Sequence, residues 1–381
     1  MVQPKLIIHL DVNGTIMPAD PVKSKHVKSM LNIHLSKQAF VRRMDDEDNE
    51  IVWWDGSPFH KGGHPPLLPQ FRYTCHIQEH YKEEVDGIQY PVDDSVFLED
   101  YNSVHETKCD NFTSKNLPGS IYASELMNMM DTLEWKHTNV PPRVEDCLTL
   151  PVADGRRMNL FVPAFLELLH HLHMTNREFV IVIRTFGSDI PRLLPAFELI
   201  AQGEHPDLSI PGCISSPSGV GTLTRDDHSV FTLTIDTLTT NNTWEPQTYV
   251  GGDAILSYME SLPSRSVIMI NDDYDVWRDH HFCPTFGKPV WLDLERTDTV
   301  RHFLLDDNVN INPSDSIACV WLRERNSQWK PLPLDTPAGK ATIGTVLLQA
   351  SLYFAILKRD AFVSELAKAN TRYDSLSLRL R

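Results

Sequence analysis

Acidic, hydroxyl and amino side chains follow the apolar segments of this chain in an order that suits the chemistry of phosphoryl groups. Asp11 closes the first apolar segment, Thr185 ends a later one, and the pair Asp306 and Asp307 follows a third, with Lys288 placed before that pair. One carboxylate can attack phosphorus, while a separate acidic pair can hold Mg²⁺, a hard cation that takes oxygen ligands. A lysine and a hydroxyl can hold the non-bridging phosphate oxygens. The set therefore predicts a site for a small phosphorylated molecule.

The apolar segments themselves are typical of buried strands. They are residues 5–12 (KLIIHLDV), 179–183 (FVIVI), 266–270 (SVIMI), 300–305 (VRHFLL) and 317–322 (IACVWL). Residues 159–174 and 191–201, which lie between strands, have the apolar spacing of helices. Strands that alternate with helices predict an α/β fold with a mainly parallel sheet covered on both faces. In such a sheet ligands bind beyond the carboxyl ends of the strands, where the polar residues stand.

The order of these residues resembles that of the haloacid dehalogenase (HAD) superfamily. Its members carry a first strand followed by DxDx[T/V], then a Thr or Ser after a strand, then a Lys, and then an acidic pair after a strand. In this sequence the corresponding residues are Asp11 with Thr15, Thr185, Lys288, and Asp306 with Asp307. The resemblance covers residues 1–20 and 155–325. It implies a three-layer, Rossmann-like core with a mainly parallel sheet and a large cap-like insertion after the first strand.

The resemblance also implies a role for each residue. Asp11 is expected to be the nucleophile that forms an aspartyl-phosphate, with Asn13, Thr185 and Lys288 beside it at the catalytic centre. Mg²⁺ is the expected cofactor, and Asn13 would bind it through the backbone carbonyl. The predicted metal ligands are Asp11, Asn13, Asp306 and Asp307. The predicted substrate contacts are Thr15, Arg184 and Gly187.

Asn13 departs from the pattern of the family. In its phosphatases the residue two positions after the nucleophile is usually Asp, which protonates the leaving group. An amide cannot act as a general acid, a contribution worth roughly 10²–10⁴-fold in rate. We therefore predict weak or specialised activity as a phosphohydrolase or phosphotransferase, on substrates with good leaving groups such as acyl phosphates or anhydrides.

A second acidic pair, Asp272 and Asp273, also follows an apolar segment and competes for the place of the fourth motif. We prefer Asp306 and Asp307 because Lys288 then precedes the pair, as the order of the family requires. Asp272 and Asp273 are then expected near the rim of the pocket.

Two other functions stay open. The chain could be a catalytically silent protein of the HAD fold that binds a phosphorylated ligand or a protein partner. Residues 76–80 (HIQEH) also match the H-x-x-E-H motif of zinc peptidases, in which His76 and His80 would bind zinc and Glu79 would activate a water. The chain has 17 histidines, so chance placement of such a pentapeptide is not remote, and this alternative ranks third.

The spacing of the motifs predicts the organisation of the chain. Asp11 and Thr185 are 174 positions apart, far more than one crossover in a parallel sheet needs. Residues 1–20 and 155–335 are expected to form the core, and residues 21–154 an inserted cap-like region. Residues 201–263 are the candidate for a smaller second insertion, and residues 336–381 for a helical segment packed on the core.

The composition of the chain argues against some classes of binding partner. The 35 basic and 51 acidic residues give a formal net charge of −16, which argues against a protein that coats nucleic acid or an anionic membrane. The six cysteines form no CxxC pair, and the apolar run near the N-terminus is too short for a signal peptide or a membrane span. We therefore expect a cytoplasmic protein that binds neither nucleic acid nor membrane.

Overall fold

The structure is a computed structural model, and it describes residues 3–43, 50–53, 57–58, 60, 82–85, 88–91, 98–226, 229–238, 243–309, 316–323 and 328–380. The strands are β1 (Lys5–Asp11), β2 (Phe40–Arg43), β3 (Ile51–Trp53), β4 (Lys82–Val85), β5 (Ile88–Pro91), β6 (Leu98–Asp100), β7 (Thr149–Pro151), β8 (Arg157–Asn159), β9 (Phe179–Thr185), β10 (Pro217–Arg225), β11 (Phe231–Leu238), β12 (Trp244–Val250), β13 (Val267–Asp272), β14 (Lys288–Asp293), β15 (Val300–Asp306), β16 (Ala318–Arg323), β17 (Lys330–Leu332) and β18 (Leu347–Gln349).

The α-helices are α1 (Val27–Ser36), α2 (Tyr101–His105), α3 (Ala123–Leu133), α4 (Pro142–Leu148), α5 (Pro163–Met174), α6 (Ile190–Gln202), α7 (Gly252–Ser261), α8 (Tyr274–Asp279), α9 (Pro337–Lys340), α10 (Leu352–Leu357) and α11 (Ala361–Leu380). Short 3-10 helices cover Glu106–Asn111, Pro118–Tyr122 and Pro284–Phe286. In the described part of the chain, no helix combines the length and the apolar character needed to cross a membrane.

Eight strands form one sheet in the order β12-β11-β10-β13-β9-β1-β15-β18. Every neighbouring pair from β10 to β18 is parallel, while β11 and β12 continue the sheet as an antiparallel edge. The prediction of an α/β fold with a mainly parallel sheet is thereby confirmed.

The central strands are apolar along their length because alternate side chains enter two separate cores. In β1, Leu6, Ile8 and Leu10 join a core that also contains residues of α5, α6, α10 and α11. Ile7, which points to the other face, joins a second core with residues of α7 and with Trp291 of β14. Strands buried on both faces need apolar residues at successive positions, which is why the pattern does not alternate.

Two helices of the segment 21–154 share the first core. Val27 and Leu31 of α1 and Met129 and Leu133 of α3 are buried in the same apolar cluster as the main sheet. These helices therefore belong to the same apolar core as the sheet. The cap-like character predicted for residues 21–154 stays a prediction, and residues 61–81 of this segment lie outside the described residues.

A second sheet contains β14, β16 and β17. Its strands β14 and β16 are parallel, and β17 is antiparallel to β16. The run at residues 317–322 is thus a strand, but of this smaller sheet. The smaller sheet matters for the site because Lys288 is the first residue of β14.

The tail differs in part from what the sequence predicts. Residues 336–381, expected to be a helical segment, form helices and also contribute β18 to the edge of the main sheet beside β15. An apolar run this short does not distinguish strand from helix until its pairing partner is known. In the segment 201–263, the candidate for a second insertion, β10, β11 and β12 extend the main sheet.

Candidate active site at the carboxyl edge of the sheet

Three adjacent strands bring the predicted motif residues together. β1 lies between β9 and β15 and is parallel to both. Asp11 is the last residue of β1, Thr185 of β9 and Asp306 of β15. Parallel strands end at the same edge of a sheet, so residues far apart in the sequence become neighbours there. All three side chains are buried.

Lys288 reaches this edge from the smaller sheet. Its Nζ donates to Oδ1 of Asp11 at 2.5 Å and to Oδ2 of Asp306 at 2.7 Å. Burial alone would lower the pKa of Lys288, but the two carboxylates raise it above its ordinary value. The backbone permits this approach only with glycine before the lysine, because a Cβ at Gly287 would lie 1.9 Å from the carbonyl oxygen of Ile317.

Asp307 is held by the loop that follows β1 and by α1. Its backbone N–H donates to Oγ1 of Thr15 at 3.0 Å. Its Oδ2 accepts from Nζ of Lys37 at 3.0 Å and lies 3.6 Å from Nε2 of His34. Gly14 has φ +80°, and a Cβ there would lie 2.9 Å from the His34 ring and 3.1 Å from the Asp307 carboxyl. The loop after β1 therefore needs glycine at this position.

The residues Asp11, Asp306 and Asp307, which we call the acidic cluster, could hold a metal ion. Each offers a carboxylate oxygen, and these oxygens lie within 4.8 Å of one another. Three carboxylates face two ammonium groups, those of Lys288 and Lys37. Burial, followed by the charge of Asp306, raises the pKa of Asp11 well above its ordinary value, although Lys288 opposes this. A buried site with oxygen donors and surplus negative charge fits Mg²⁺.

Asn13 and Thr185 are joined by a residue that sequence reasoning missed. Oδ2 of Asp189 accepts from Nδ2 of Asn13 at 2.9 Å and from Oγ1 of Thr185 at 2.8 Å. The backbone N–H of Gly187 donates to the same Thr185 oxygen at 2.9 Å. Asp189 stands at the start of α6 with Pro191 inside the first turn, a pattern that indicates a helix cap. Its side chain makes no capping hydrogen bond and serves Asn13 and Thr185 instead.

The structure gives Arg184 a partner other than substrate. The side chain is fully buried, and its guanidinium forms a bidentate ion pair with Asp272, with Nε at 2.8 Å from Oδ2. Its Nη1 donates to the carbonyl oxygen of Pro289 at 3.2 Å. The prediction that Arg184 contacts the substrate has no support in this geometry, because the guanidinium is enclosed.

These contacts distinguish the acidic pair Asp272 and Asp273 from the pair Asp306 and Asp307. Asp272 is engaged by Arg184, and Oδ1 of Asp273 accepts from the backbone N–H of Val276 at 3.1 Å, which caps α8. Lys288 bonds to Asp306 and not to Asp272. This arrangement favours Asp306 and Asp307 as the acidic pair of the site.

Two further residues at the site escaped sequence reasoning. His34 and Lys37 lie three positions apart at the end of α1, a spacing that places them on one helix face, but nothing in the sequence connects that face to Asp307. Burial, followed by the charge of Lys37, lowers the pKa of His34 well below its ordinary value. His76, Glu79 and His80, the residues of the zinc-peptidase alternative, lie outside the described residues.

Comparison with known proteins adds no further constraint. No protein family, curated protein or solved structure matches this chain. The function must therefore be argued from the geometry of the site.

Proposed function

We propose that this chain is a Mg²⁺-dependent phosphohydrolase or phosphotransferase of the HAD type, acting on a small phosphorylated molecule through an aspartyl-phosphate at Asp11. The observation that carries the proposal is the convergence of Asp11, Asp306 and Lys288 at the ends of neighbouring strands and of a second sheet. These are the nucleophile, the metal ligand and the cation that the order of the motifs requires.

The order of the strands supports a HAD-type, Rossmann-like core. The strand with the nucleophile lies between the strand that ends in Thr185 and the strand that ends in Asp306. An active site at the carboxyl edge of such a sheet is the usual place for a ligand in an open α/β fold. Residues 21–154 follow β1 and constitute the proposed insertion.

The proposed chemistry takes place in two steps at Asp11. An oxygen of its carboxylate attacks phosphorus, the bond to the leaving oxygen breaks, and the leaving oxygen takes a proton from water because Asn13 has none to give. Water or an acceptor hydroxyl then attacks the phosphorus, the bond to Asp11 breaks, and the attacking oxygen loses its proton to solvent. Lys288 keeps Asp11 oriented, and bound Mg²⁺ would supply positive charge to the phosphoryl oxygens.

Asp189 fixes the surroundings of the reacting groups. Because its carboxylate can only accept, the Asn13 amide must point its Nδ2 toward Asp189. Oδ1 of Asn13 is then buried, and none of the described residues donates to it. The Thr185 hydroxyl donates to the same carboxylate oxygen, so it must turn away from Asp189 to donate to a phosphoryl oxygen.

A turnover assay with a matched variant tests the proposal. The parent should hydrolyse acetyl phosphate or an aryl phosphate when Mg²⁺ is present, and Asp11→Asn should reduce kcat to background. Asp146→Asn is the control, because this side chain is exposed at the surface and pairs with Arg157. Mass spectrometry of the phosphorylated intermediate should place the phosphoryl group on Asp11. A parent that turns over none of these substrates would contradict the proposal.

One observation favours the silent alternative. Lys288 and Lys37 already engage the acidic cluster, and Asn13 lacks the proton of an acid. A silent protein would bind beryllium fluoride with Mg²⁺ at Asp11 but show no turnover of acyl or aryl phosphates. Calorimetry with beryllium fluoride, run beside the assay, separates this outcome from active catalysis.

A further inference from the structure

A second group of polar and aromatic residues lies along the same edge of the sheet, beside the acidic cluster. It surrounds a small cleft that is partly open to solvent. Arg225, at the end of β10, and Phe186, just after β9, form part of its wall. Gly287 and Pro289, on either side of Lys288, form another part. The cleft therefore adjoins the lysine of the proposed phosphoryl site.

Arg225 is the cation of this cleft. More than nine-tenths of the residue is buried, and its Nη1 donates to the carbonyl oxygen of Thr285 at 2.8 Å. Its Nη2 is buried and has no hydrogen-bond partner among the residues that the structure describes. The guanidinium carbon lies 4.4 Å from the ring centroid of Phe286 and 5.1 Å from that of Phe231. Stacked rings hold the guanidinium in place and leave its edge for hydrogen bonds.

Within the described residues, Arg225 forms no ion pair with a carboxylate, although the charge of Asp273 acts on it from nearby. Asp272 belongs to Arg184, and Asp273 uses an oxygen to cap α8. Burial lowers the pKa of Arg225, and the charge of Asp273 opposes this only in part. A buried, unpaired charge is costly unless a ligand completes it.

We infer that Arg225 and the cleft beside it form a subsite for the carboxylate of a ligand. A carboxylate matches the planar edge of a guanidinium and offers two acceptor oxygens. A phosphate dianion fits less well, because three phenylalanines line the cleft and because Asp272 and Asp273, which also line it, repel a double charge more than a single one. The ligand is therefore a small molecule that carries one carboxylate with a single negative charge.

Together with the proposed function, this subsite indicates a class of substrate, and that part of the inference rests on the proposed function. A phosphoryl group at Asp11 and a carboxylate at Arg225 would belong to one substrate, a phosphorylated carboxylic acid. Aryl phosphates that carry a carboxylate on a side chain of increasing length are the matching probes, because their leaving group needs little protonation, and the length that gives the lowest KM measures the span between the two groups. Aryl phosphates of equal length that lack the carboxylate serve as the matched comparison.

Binding of a simple carboxylate tests the subsite without any turnover. Benzoate is titrated against the parent, Arg225→Met and Arg157→Met, with calorimetry as the readout. Methionine keeps the apolar stem of Arg225 between the rings, and Arg157 is a partly exposed arginine that pairs with Glu145 and Asp146 on the surface. We expect the parent and Arg157→Met to bind alike and Arg225→Met to bind ~10- to 100-fold more weakly, the range of a charged hydrogen bond.

The parent alone supplies a second measurement, in case Arg225→Met does not fold. The arginine side-chain N–H signals in a nitrogen-15 spectrum should include one set that shifts when benzoate is added. Benzoate that leaves every arginine signal unmoved, or that binds Arg225→Met as well as the parent, overturns the subsite.

The kinetic measurement separates the two proposals. If the parent prefers the carboxylate-bearing aryl phosphates over those without the carboxylate by ~10- to 100-fold in kcat/KM and Arg225→Met loses this preference, both proposals stand. If benzoate binding depends on Arg225 but no phosphate is turned over, the subsite stands and the proposed function fails. If phosphates are turned over without regard to the carboxylate, and benzoate does not bind, the subsite fails alone.

Discussion

Two buried groups of charged residues lie on the same sheet and differ in their charge balance. In the first, Arg184 and Asp272 form a closed bidentate pair, one cation with one anion. In the second, the acidic cluster sets three carboxylates against Lys288 and Lys37. Both groups contain an aspartate at a strand end and a buried cation. The difference indicates that the first group stabilises the fold, while the second keeps surplus charge that a ligand can use.

The surroundings of the two groups agree with this distinction. The Arg184 guanidinium is enclosed by Asp272, the Pro289 carbonyl and, at 3.4 Å, Nδ1 of His9. His9 in turn contacts His302, with 3.1 Å between the ring nitrogens. Around the acidic cluster, by contrast, Lys37 is partly exposed. The Arg184 guanidinium is therefore enclosed, although Asp272 also lines the cleft beside Arg225, while the acidic cluster has a partly exposed cation on the side of α1.

The largest expected effect belongs to the closed pair. Arg184→Met leaves Asp272 buried without its cation, so we expect the free energy of unfolding to fall by about 3–5 kcal/mol. Denaturant unfolding of the variant and of the surface control Arg157→Met measures it. A loss below about 1 kcal/mol would mean that the pair of Arg184 and Asp272 stabilises the fold no more than a surface ion pair does.

Addition of Mg²⁺ should stabilise the protein through the acidic cluster. A ligand that binds only the folded state at 100 times its Kd adds about 2.7 kcal/mol to the free energy of unfolding. We expect this gain in the parent and not in Asp306→Asn, measured by thermal unfolding with Mg²⁺ and with a chelator. Asp146→Asn, at the surface, should keep the gain. An equal gain in Asp306→Asn would remove Asp306 from the metal site.

Asp11→Asn should change the free energy of unfolding in the opposite direction to Arg184→Met. The variant removes one carboxylate from a site with surplus negative charge, and the amide oxygen can still accept from Lys288. Without metal, we expect the free energy of unfolding to rise by about 1–2 kcal/mol while turnover is lost, the usual exchange of stability for function. Chemical unfolding in a chelating buffer checks the sign. A decrease would mean that the cluster is balanced in the folded protein.

The smallest effect is a dependence of stability on pH near the closed pair. Burial, followed by the charges of Arg184 and His302, lowers the pKa of His9 well below its ordinary value of 6.5. Below pH 6.5, His9 binds a proton in the unfolded state but not in the folded state. The free energy of unfolding therefore decreases as the pH falls. Between about pH 7 and pH 5.5 this loss is about 1 kcal/mol for one histidine.

Unfolding curves at both pH values test this expectation with His9→Gln, in which glutamine keeps the hydrogen-bonding capacity but cannot titrate. The difference between the two pH values should shrink by about 1 kcal/mol in the variant. If the difference is unchanged, His9 does not carry the acid sensitivity, and the similarly buried His34 is the next candidate.

Much of the candidate site could be predicted because it depends on local patterns. Asp11, Thr185 and Asp306 were placed at strand ends from the apolar runs before them, and the strands end there in the structure. Arg184 was placed one residue from Thr185 and was expected to face the substrate. Successive residues of a strand point to opposite faces, and the partner on the far face, Asp272, is 88 positions away in the chain.

Other residues of the two sites carry no local signal. Asp189 has the sequence of a helix cap, Lys37 that of a helix end, and Arg225 that of a strand end. Their chemistry arises from partners that the sequence places far away, such as Asn13, Asp307 and Phe286. Only the packing of α1, α6 and the smaller sheet against the main sheet reveals them.

The sequence by itself determined that this chain alternates strands and helices, that its main sheet is mainly parallel, and which acidic residues stand at the strand ends. These features follow from hydrophobic periodicity, which acts over a few neighbouring residues. The tertiary structure alone decided which charges meet. It placed Lys288 at the start of a strand in a second sheet with its ammonium group on Asp11, and it paired Arg184 with Asp272. Within the described residues, it left Nη2 of Arg225 without a hydrogen-bond partner. The net charge of a buried site depends on side chains from several helices and strands, and no local sequence pattern shows which of them meet.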